Sequence, residues 1–357
     1  MAIDGAGLAV KTLASEGVKS IFCLSGNQVL PVLDATVGSD IQIVHTRHEA
    51  AAVHMADAWG RLTARPGIAL LTAGPGHLGG LSALYTALMA ESPVLLLSGQ
   101  SAAAQSGRGA FQEVDQIEAA RSVTKAAWAV DNPGQIAADI SRALRIACSG
   151  RPGPVHLSLP VDILEAAAAF ESDKPAFSPT DSDVPGPEHG DVQPAAIDEA
   201  LALLDKAKKP LILTGPAMSR GESFDAVKNF AKEAQIYALP MISPRGVNDP
   251  ALLGLTDLIP EADVVLLLGK RLDFSLRFGG PSVFSRSCRI IRSDAEVGQN
   301  QSGREIELEI AGAPLSCIGQ MLAGLQKQPW QKNPGRSGWY QAVRATRNTT
   351  PQEWLLP

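Results

Sequence analysis

The chain has 357 residues, of which 45% are hydrophobic and 19% charged, and a formal net charge of −6. That length predicts about two domains, each able to bury a core. The acidic balance leaves no basic footprint for nucleic acid, and no apolar run approaches the ~20 residues that span a bilayer.

The N-terminal stretch carries Asp4 and reads as an amphipathic helix over 5–16. It has neither the basic start nor the apolar core of a signal peptide, so a cytoplasmic location is expected. Cys23, Cys148, Cys288 and Cys317 are scattered without metal-ligand spacing and read as reduced thiols. An apolar run at 20–24 leads into SGNQVLPVLDA, where Gly26, Asn27 and Gln28 sit just past a strand. A short strand at 41–44 ends at His45, and an alanine-rich helix follows. Thr46-x-x-Glu49 there reads as a capping box. The alternative role for Glu49 is contact with a ligand, because ligands in open α/β sheets collect beyond the carboxyl ends of strands.

Strands are expected at 68–72, 93–99 and 124–130, with helices at 78–90 and 134–147, and RPGPVHLSLP at 151–160 ends the unit. Strands alternating with helices predict a parallel sheet covered on both faces. Gly74-Pro75-Gly76 closes one strand and opens a helix. It is either an ordinary turn or a place where backbone N–H groups approach a ligand. Phe111-Gln112-Glu113 follows the small-residue stretch SAAAQSGRG. His48 and His77, at helix starts, are candidate substrate ligands, and His54 reads as structural. Met55, Trp59 and Leu62 follow helical spacing and read as core or interface.

Residues 166–195 are polar, proline-rich and without period, as a linker is. A second α/β unit then spans 196–325, with strands at 210–214, 236–241, 262–269, 288–293 and 306–312. After it, residues 326–357 read as a polar tail or a second linker. The fold expected is therefore two doubly wound parallel-sheet domains, 1–165 and 196–325.

The order of these motifs resembles the thiamine diphosphate-dependent enzymes of the acetolactate synthase type. The run His48-Glu49-Ala-Ala-Ala, the Gly74–Gly76 turn, ESPVLLLSGQ at 91–100, FQE at 111–113 and RPGPVHLSLPVD at 151–162 carry the resemblance in the first unit. LILTGPAMSRG at 211–221, LLLGKRLDFSLRFG at 266–279 and SDAEVGQN at 293–300 carry it in the second. The resemblance implies a carboligase or decarboxylase acting on 2-keto acids. It implies that Glu49 hydrogen-bonds the cofactor's aminopyrimidine and that Pro75 and Gly76 lie beside that ring. Gln112 would sit near the reacting centre, with Gly26, Gln28, His77 and Phe111 towards substrate. A homodimer or tetramer is implied, with Met55, Trp59 and Leu84 in the contact. The cofactor supplies the chemistry and the protein its orientation and proton relay.

The sequence departs from that family in places. The position three residues after the Gly-Pro-Gly, commonly asparagine, is Gly79. Ile291-Arg292-Ser293-Asp294 replaces an acidic run at the end of a central strand, and an arginine there suits phosphate rather than ribose. The central domain is a candidate for FAD or an ADP-type nucleotide through Gly215, Arg271 and Asp294, and GKRLDFSLRFG also resembles the oxalyl-CoA decarboxylase branch. No Gly-Asp-Gly motif for magnesium occurs, and His189-Gly190-Asp191-Val192 lies in the linker. The expectation is a piece without its diphosphate-binding domain, inactive by itself and without a metal site of its own. The alternatives are a non-catalytic binding or regulatory protein and an oxalyl-CoA decarboxylase-like lyase. An NAD-dependent dehydrogenase is excluded because no Gly-x-Gly-x-x-Gly follows any strand.

Overall fold

Apolar runs too short to be helices alternate with helical segments, and each run becomes a parallel strand. The computed structural model describes residues 3–168, 192–252, 254–296 and 303–348. The chain divides into two units, residues 1–186 and 187–357.

The first unit runs β1 (Ile3–Asp4), α1 (Gly5–Ser15), β2 (Ser20–Leu24), α2 (Leu30–Ala35), β3 (Gln42–His45), α3 (Glu49–Thr63), β4 (Gly67–Leu71) and α4 (Pro75–Met89). It continues with β5 (Val94–Gln100), α5 (Gln116–Arg121), β6 (Ala126–Ala129), α6 (Ile136–Cys148), β7 (Pro154–Pro160), α7 (Val161–Glu165) and β8 (Ala167–Ala168). Six strands form a parallel sheet in the order β3-β2-β4-β5-β7-β6. The two-residue β1 and β8 pair antiparallel and tie the start of the domain to its end. Leu8, Leu13, Ile140 and Leu144 pack on one face of the sheet, and Ala52, Val53, Ala83 and Leu84 on the other. Cover on both faces explains why β4 and the first four residues of β5 read as continuous apolar runs. From β2 the chain moves outward to β3, then returns past β2 to β4. The carboxyl ends of β2 and β4 therefore flank a switch point, the usual place for a ligand crevice.

The entry to α3 differs from the capping box expected of Thr46 and Glu49. His48 is the N-cap, and its Nδ1 accepts from Ala50 N at 3.1 Å. Thr46 Oγ1 donates instead to the carbonyls of Cys23 (3.2 Å) and His48 (3.1 Å). The neighbouring strand β2 captures the threonine hydroxyl, and Glu49 becomes the first helical residue.

The second unit runs α8 (Pro194–Lys206), β9 (Pro210–Thr214), α9 (Gly221–Ala234), β10 (Tyr237–Pro240), α10 (Leu255–Leu258), β11 (Val264–Leu268), β12 (Arg289–Asp294), β13 (Leu308–Ala311), α11 (Pro314–Lys327) and α12 (Pro334–Asn348). Its parallel sheet has the order β10-β9-β11-β12-β13. This is again a doubly wound sheet, with a switch point between β9 and β11.

Helix α12 lies where a polar tail or linker is expected. Trp339 and Val343, four residues apart, are buried among Leu211, Tyr237 and Ile259. Trp339 Nε1 donates to Pro210 O at 3.1 Å, and Arg336 Nη1 donates to Asp205 O at 2.8 Å. One narrow apolar stripe is enough to dock a helix that is otherwise polar. Of the expected linker, residues 169–191 lie outside the described residues, and 194–195 already belong to α8. Residues 297–300 of SDAEVGQN and residues 349–357 of the tail also lie outside. Among the described residues no helix is long and apolar enough to cross a membrane.

Candidate functional site

The switch point of the first domain gathers most of the residues expected there. Gly26 follows β2 with extended backbone, and a Cβ on it would lie 2.4 Å from Thr72 Cβ. Gln28 is buried; its Oε1 accepts from Thr72 Oγ1 at 2.7 Å, and its Nε2 donates to Phe111 O at 3.5 Å. The methyl of Thr72 also lies against Gly76, 2.6 Å from where a Cβ would stand. Thr72, which directly follows β4 and lies two residues before Gly74, is thus the hub between the β2 and β4 ends.

Glu49 reaches across from α3 to the first turns of α4. A Cβ at Gly79 would lie 3.1 Å from Glu49 Oε2 and 3.3 Å from its carboxyl carbon, and one at Gly76 would lie 3.9 Å from Oε1. Two glycines one turn apart leave a bare strip of helix, and the carboxylate lies along it. Any other residue at 79 would fill the space next to the carboxylate.

Gly74 has φ +57° and ψ −114°, a conformation closed to L side chains, and a Cβ there would lie 2.5 Å from Gln112 O. Gln112 is itself left-handed, with φ +61°, and its Oε1 is buried without a hydrogen-bond partner. Strain and an orphan acceptor at one residue are the features that functional sites retain. Phe111 beside it is 71% exposed. Two carboxylates fold the preceding loop. Glu113 accepts from Gly107 N (2.5 Å) and Ala110 N (2.9 Å), and these main-chain bonds hold its pKa below the usual carboxylate range. Asp162 accepts from Ala103 N (2.9 Å) and Ala104 N (3.3 Å).

His77 does not join the site. It is fully buried, its Nδ1 hydrogen-bonds Ser98 Oγ at 2.9 Å, and its ring lies 4.4 Å from that of His156. Burial lowers its pKa to about 4, and burial followed by the neighbouring imidazole lowers that of His156. Its position in α4 turns it under the helix, towards β5 and β7, so the expected substrate contact is corrected. Leu84 is likewise core rather than contact surface, because it faces the sheet from the same helix.

In the central domain, Arg271 Nη2 donates to Glu296 Oε2 at 2.5 Å, and Glu296 N donates to the buried Asp294 Oδ1 at 3.1 Å. These residues meet at the β12 end. Gly215 lies at the β9 end, where a Cβ would be 2.2 Å from Gly269 O. Arg292, expected to suit a phosphate, is buried and ion-paired with Glu309 instead. Among the described residues, no three His, Cys, Asp or Glu side chains gather as a metal would require.

Sequence reasoning missed Thr72 and Gln116. A polar residue closing the apolar run IALLT is a signal for the first. Gln116, buried at the start of α5, bonds Gly74 N from 42 residues away, and no local pattern announces it.

A carboxylate thus lies along a glycine-lined helix edge at the switch point. The comparisons with known proteins identify the family. Residues 3–119 match the N-terminal TPP binding domain of thiamine pyrophosphate enzymes, and residues 197–321 match their central domain. The chain belongs to the thiamine pyrophosphate enzyme family, in its acetolactate synthase-like group. Among relatives, it is 32% identical over 331 residues to the oxalyl-CoA decarboxylase of Escherichia coli (strain K12), covering 91% of this chain and 58% of that protein. It is 31% identical over 340 residues to a probable acetolactate synthase large subunit of Methanocaldococcus jannaschii, covering 90% and 56%. It is 32% identical over 358 residues to the 2-hydroxyacyl-CoA lyase of Oryza sativa subsp. japonica, covering 96% and 61%. The chain thus spans about three fifths of the length of these relatives.

Proposed function

We propose that the first domain supplies the pyrimidine side of a thiamine pyrophosphate site, in an enzyme that makes or breaks the bond beside the carbonyl of a 2-keto acid. The observation that carries this reading is the Glu49 carboxylate resting along Gly76 and Gly79 at the switch point. Bound thiamine pyrophosphate supplies the electron sink for such a reaction. Glu49 would face a ring nitrogen of that cofactor, where its carboxylate would hold and return a proton. Gly76 and Gly79 leave room for the ring beside that carboxylate. The strained Gln112, packed against Gly74 with a buried and unpartnered Oε1, would offer its carboxamide inside the crevice, with the exposed Phe111 next to it. Magnesium accompanies the diphosphate end, which these residues do not hold.

A second reading keeps the chemistry and changes the substrate to an acyl-CoA thioester. Two of the relatives named above are a decarboxylase and a lyase of such thioesters. Arg271 and Arg277, exposed in the segment Lys270–Arg277, support it, while Lys270 is buried and ion-paired with Asp273. An ADP-type nucleotide at Gly215, Arg271 and Asp294 belongs with this reading, and FAD there with the first.

We also infer assembly as a homodimer or tetramer. Met55 and Leu62 on α3 and Leu78 and Tyr85 on α4 are exposed apolar side chains on two helices packed together. A monomer by light scattering at tens of micromolar would count against that.

The test of the main reading is Glu49→Gln in the full polypeptide that carries these domains. The side chain is nearly isosteric and cannot relay a proton. Turnover should fall about 10²–10⁴-fold with the melting temperature unchanged. Rates within threefold of the parent would return Glu49 to a structural role. Parallel assays with a panel of 2-keto acids and with oxalyl-CoA separate the two substrate readings.

A further inference from the structure

We propose that Gln116 is a positioning residue for the Gly74–Gly76 turn, and through that turn for the strip against which Glu49 lies. The inference about Glu49 rests on the function proposed above; the inference about the turn does not.

Gln116 is 2% exposed, and its carboxamide makes three hydrogen bonds. Oε1 accepts from Gly74 N at 2.9 Å. Nε2 donates to Gly99 O at 3.1 Å and to Ser158 Oγ at 2.8 Å. Ser158 Oγ in turn donates to Gln100 Oε1 at 2.7 Å, which fixes the direction of the Ser158 hydroxyl and makes it an acceptor for Gln116. One side chain therefore joins the end of β5, the end of β7 and the N-cap of α4.

Gly74 is the point in this array where control is needed. It is buried, and its N–H lies outside the α4 ladder. Its φ of +57° and ψ of −114° have few neighbours in allowed space. Gly76 N donates to Ala73 O at 3.2 Å and Leu78 N to Gly74 O at 2.9 Å, so the turn's main-chain bonds use its carbonyls, while the Gly74 N–H is held by the Gln116 side chain. Without Gln116, a buried donor in an unusual conformation would have no partner, and the turn would relax to recover one. Two residues later, relaxation moves Gly76 relative to Glu49. Gln112, packed against Gly74, would move with it. A carboxylate in place of the amide keeps the Gly74 bond but sets an oxygen against Gly99 O. Glutamine alone offers one acceptor and two donors at this reach.

The experiment measures amide hydrogen exchange and cofactor affinity in the full polypeptide, for the parent, Gln116→Met, Glu49→Gln and the double variant. Methionine keeps the volume and removes all three bonds. Exchange at Gly74, Gly76 and Leu78 of the unliganded protein should rise at least tenfold, while strand β4 stays protected. The thiamine pyrophosphate dissociation constant, by calorimetry, should rise about tenfold. The Glu49→Gln and Gln116→Met effects on that constant should be less than multiplicative, because both act on one contact; a residue that only stabilises the fold gives multiplicative effects. Unchanged exchange at the turn would overturn the proposal even if the cofactor binds. Raised exchange in a protein whose parent binds no cofactor would uphold the positioning of the turn and sink the function instead. Should Gln116→Met not fold, the parent decides. Its Gly74 amide should exchange as slowly as β4, and exchange as fast as the loop at 103–110 would end the argument.

Discussion

The buried imidazole pair makes a prediction that can be carried through to a number. His77 has a native pKa of about 4 against an ordinary 6.5, because burial disfavours its charged form. The native state therefore prefers the neutral ring and the unfolded state takes the proton first. Stability that is fully present above pH 6.5 is lost as the pH falls towards 4. Between pH 7.5 and pH 5 the linkage amounts to about 2 kcal/mol from His77, and His156 adds in the same direction. Glu16 and Asp139 have pKa values raised first by burial, so they oppose this trend and must be separated from it. His77→Gln does so, because glutamine can bond Ser98 and does not titrate in this range. The assay is urea unfolding at pH 7.5 and pH 5, with hydrogen-exchange pulse labelling of β5 and β7 to follow the first domain alone. The parent should lose about 2 kcal/mol more than the variant between the two pH values. Parallel losses would mean that the ring is hydrated or already paired in solution, and the reasoning from burial would fail.

Gly79→Ala should separate stability from function: alanine favours a helix interior by about 1 kcal/mol, yet its Cβ would lie 3.1 Å from Glu49 Oε2. A higher melting temperature with weaker cofactor binding by calorimetry is expected, and unchanged binding would detach Gly79 from the site. Gly215→Ala sets a Cβ 2.2 Å from Gly269 O, a backbone atom with little room to retreat. Thermal denaturation should show the central domain destabilised by about 1–3 kcal/mol or more, as for other overpacked positions. Trp339→Ala should cost about 3–5 kcal/mol, as large-to-small core changes do, and should expose α12 to limited proteolysis. A variant as resistant as the parent would place α12 outside the cooperative unit.

The fold was legible where burial is two-sided. β4, β5, β9 and β11 are uninterrupted apolar runs, and each lies within two residues of its expected span. Glu49, Gly76 and Gln112 stood out only through the resemblance that the ordered motifs carry; taken singly, each reads as a cap, a turn or a helix start, and the structure sets Glu49 beside Gly76 and Gln112 beside Gly74. What failed depended on partners distant in sequence. Thr46 has the spacing of a cap, but Cys23 on the adjacent strand offers its hydroxyl a carbonyl. His77 stands at a helix start like a ligand, yet its rotation about α4 points it into the sheet. Helix α12 carries its apolar signal in Trp339 and Val343 amid polar residues, too thin a stripe to register by composition. Gln116 is ordinary in DQIEAA and significant only once β4, β5 and β7 stand side by side.

The loop ahead of Gln112 has a consequence for the kinetics of binding. Glu113 and Asp162 already hold four of its backbone N–H groups, so most of its conformational freedom is spent before any ligand arrives. A ligand meeting Phe111 and Gln112 then has little chain to immobilise, and its affinity is not reduced by an ordering step. Association at this edge should be a single phase whose rate rises linearly with ligand concentration, without the plateau that a folding or closing loop imposes.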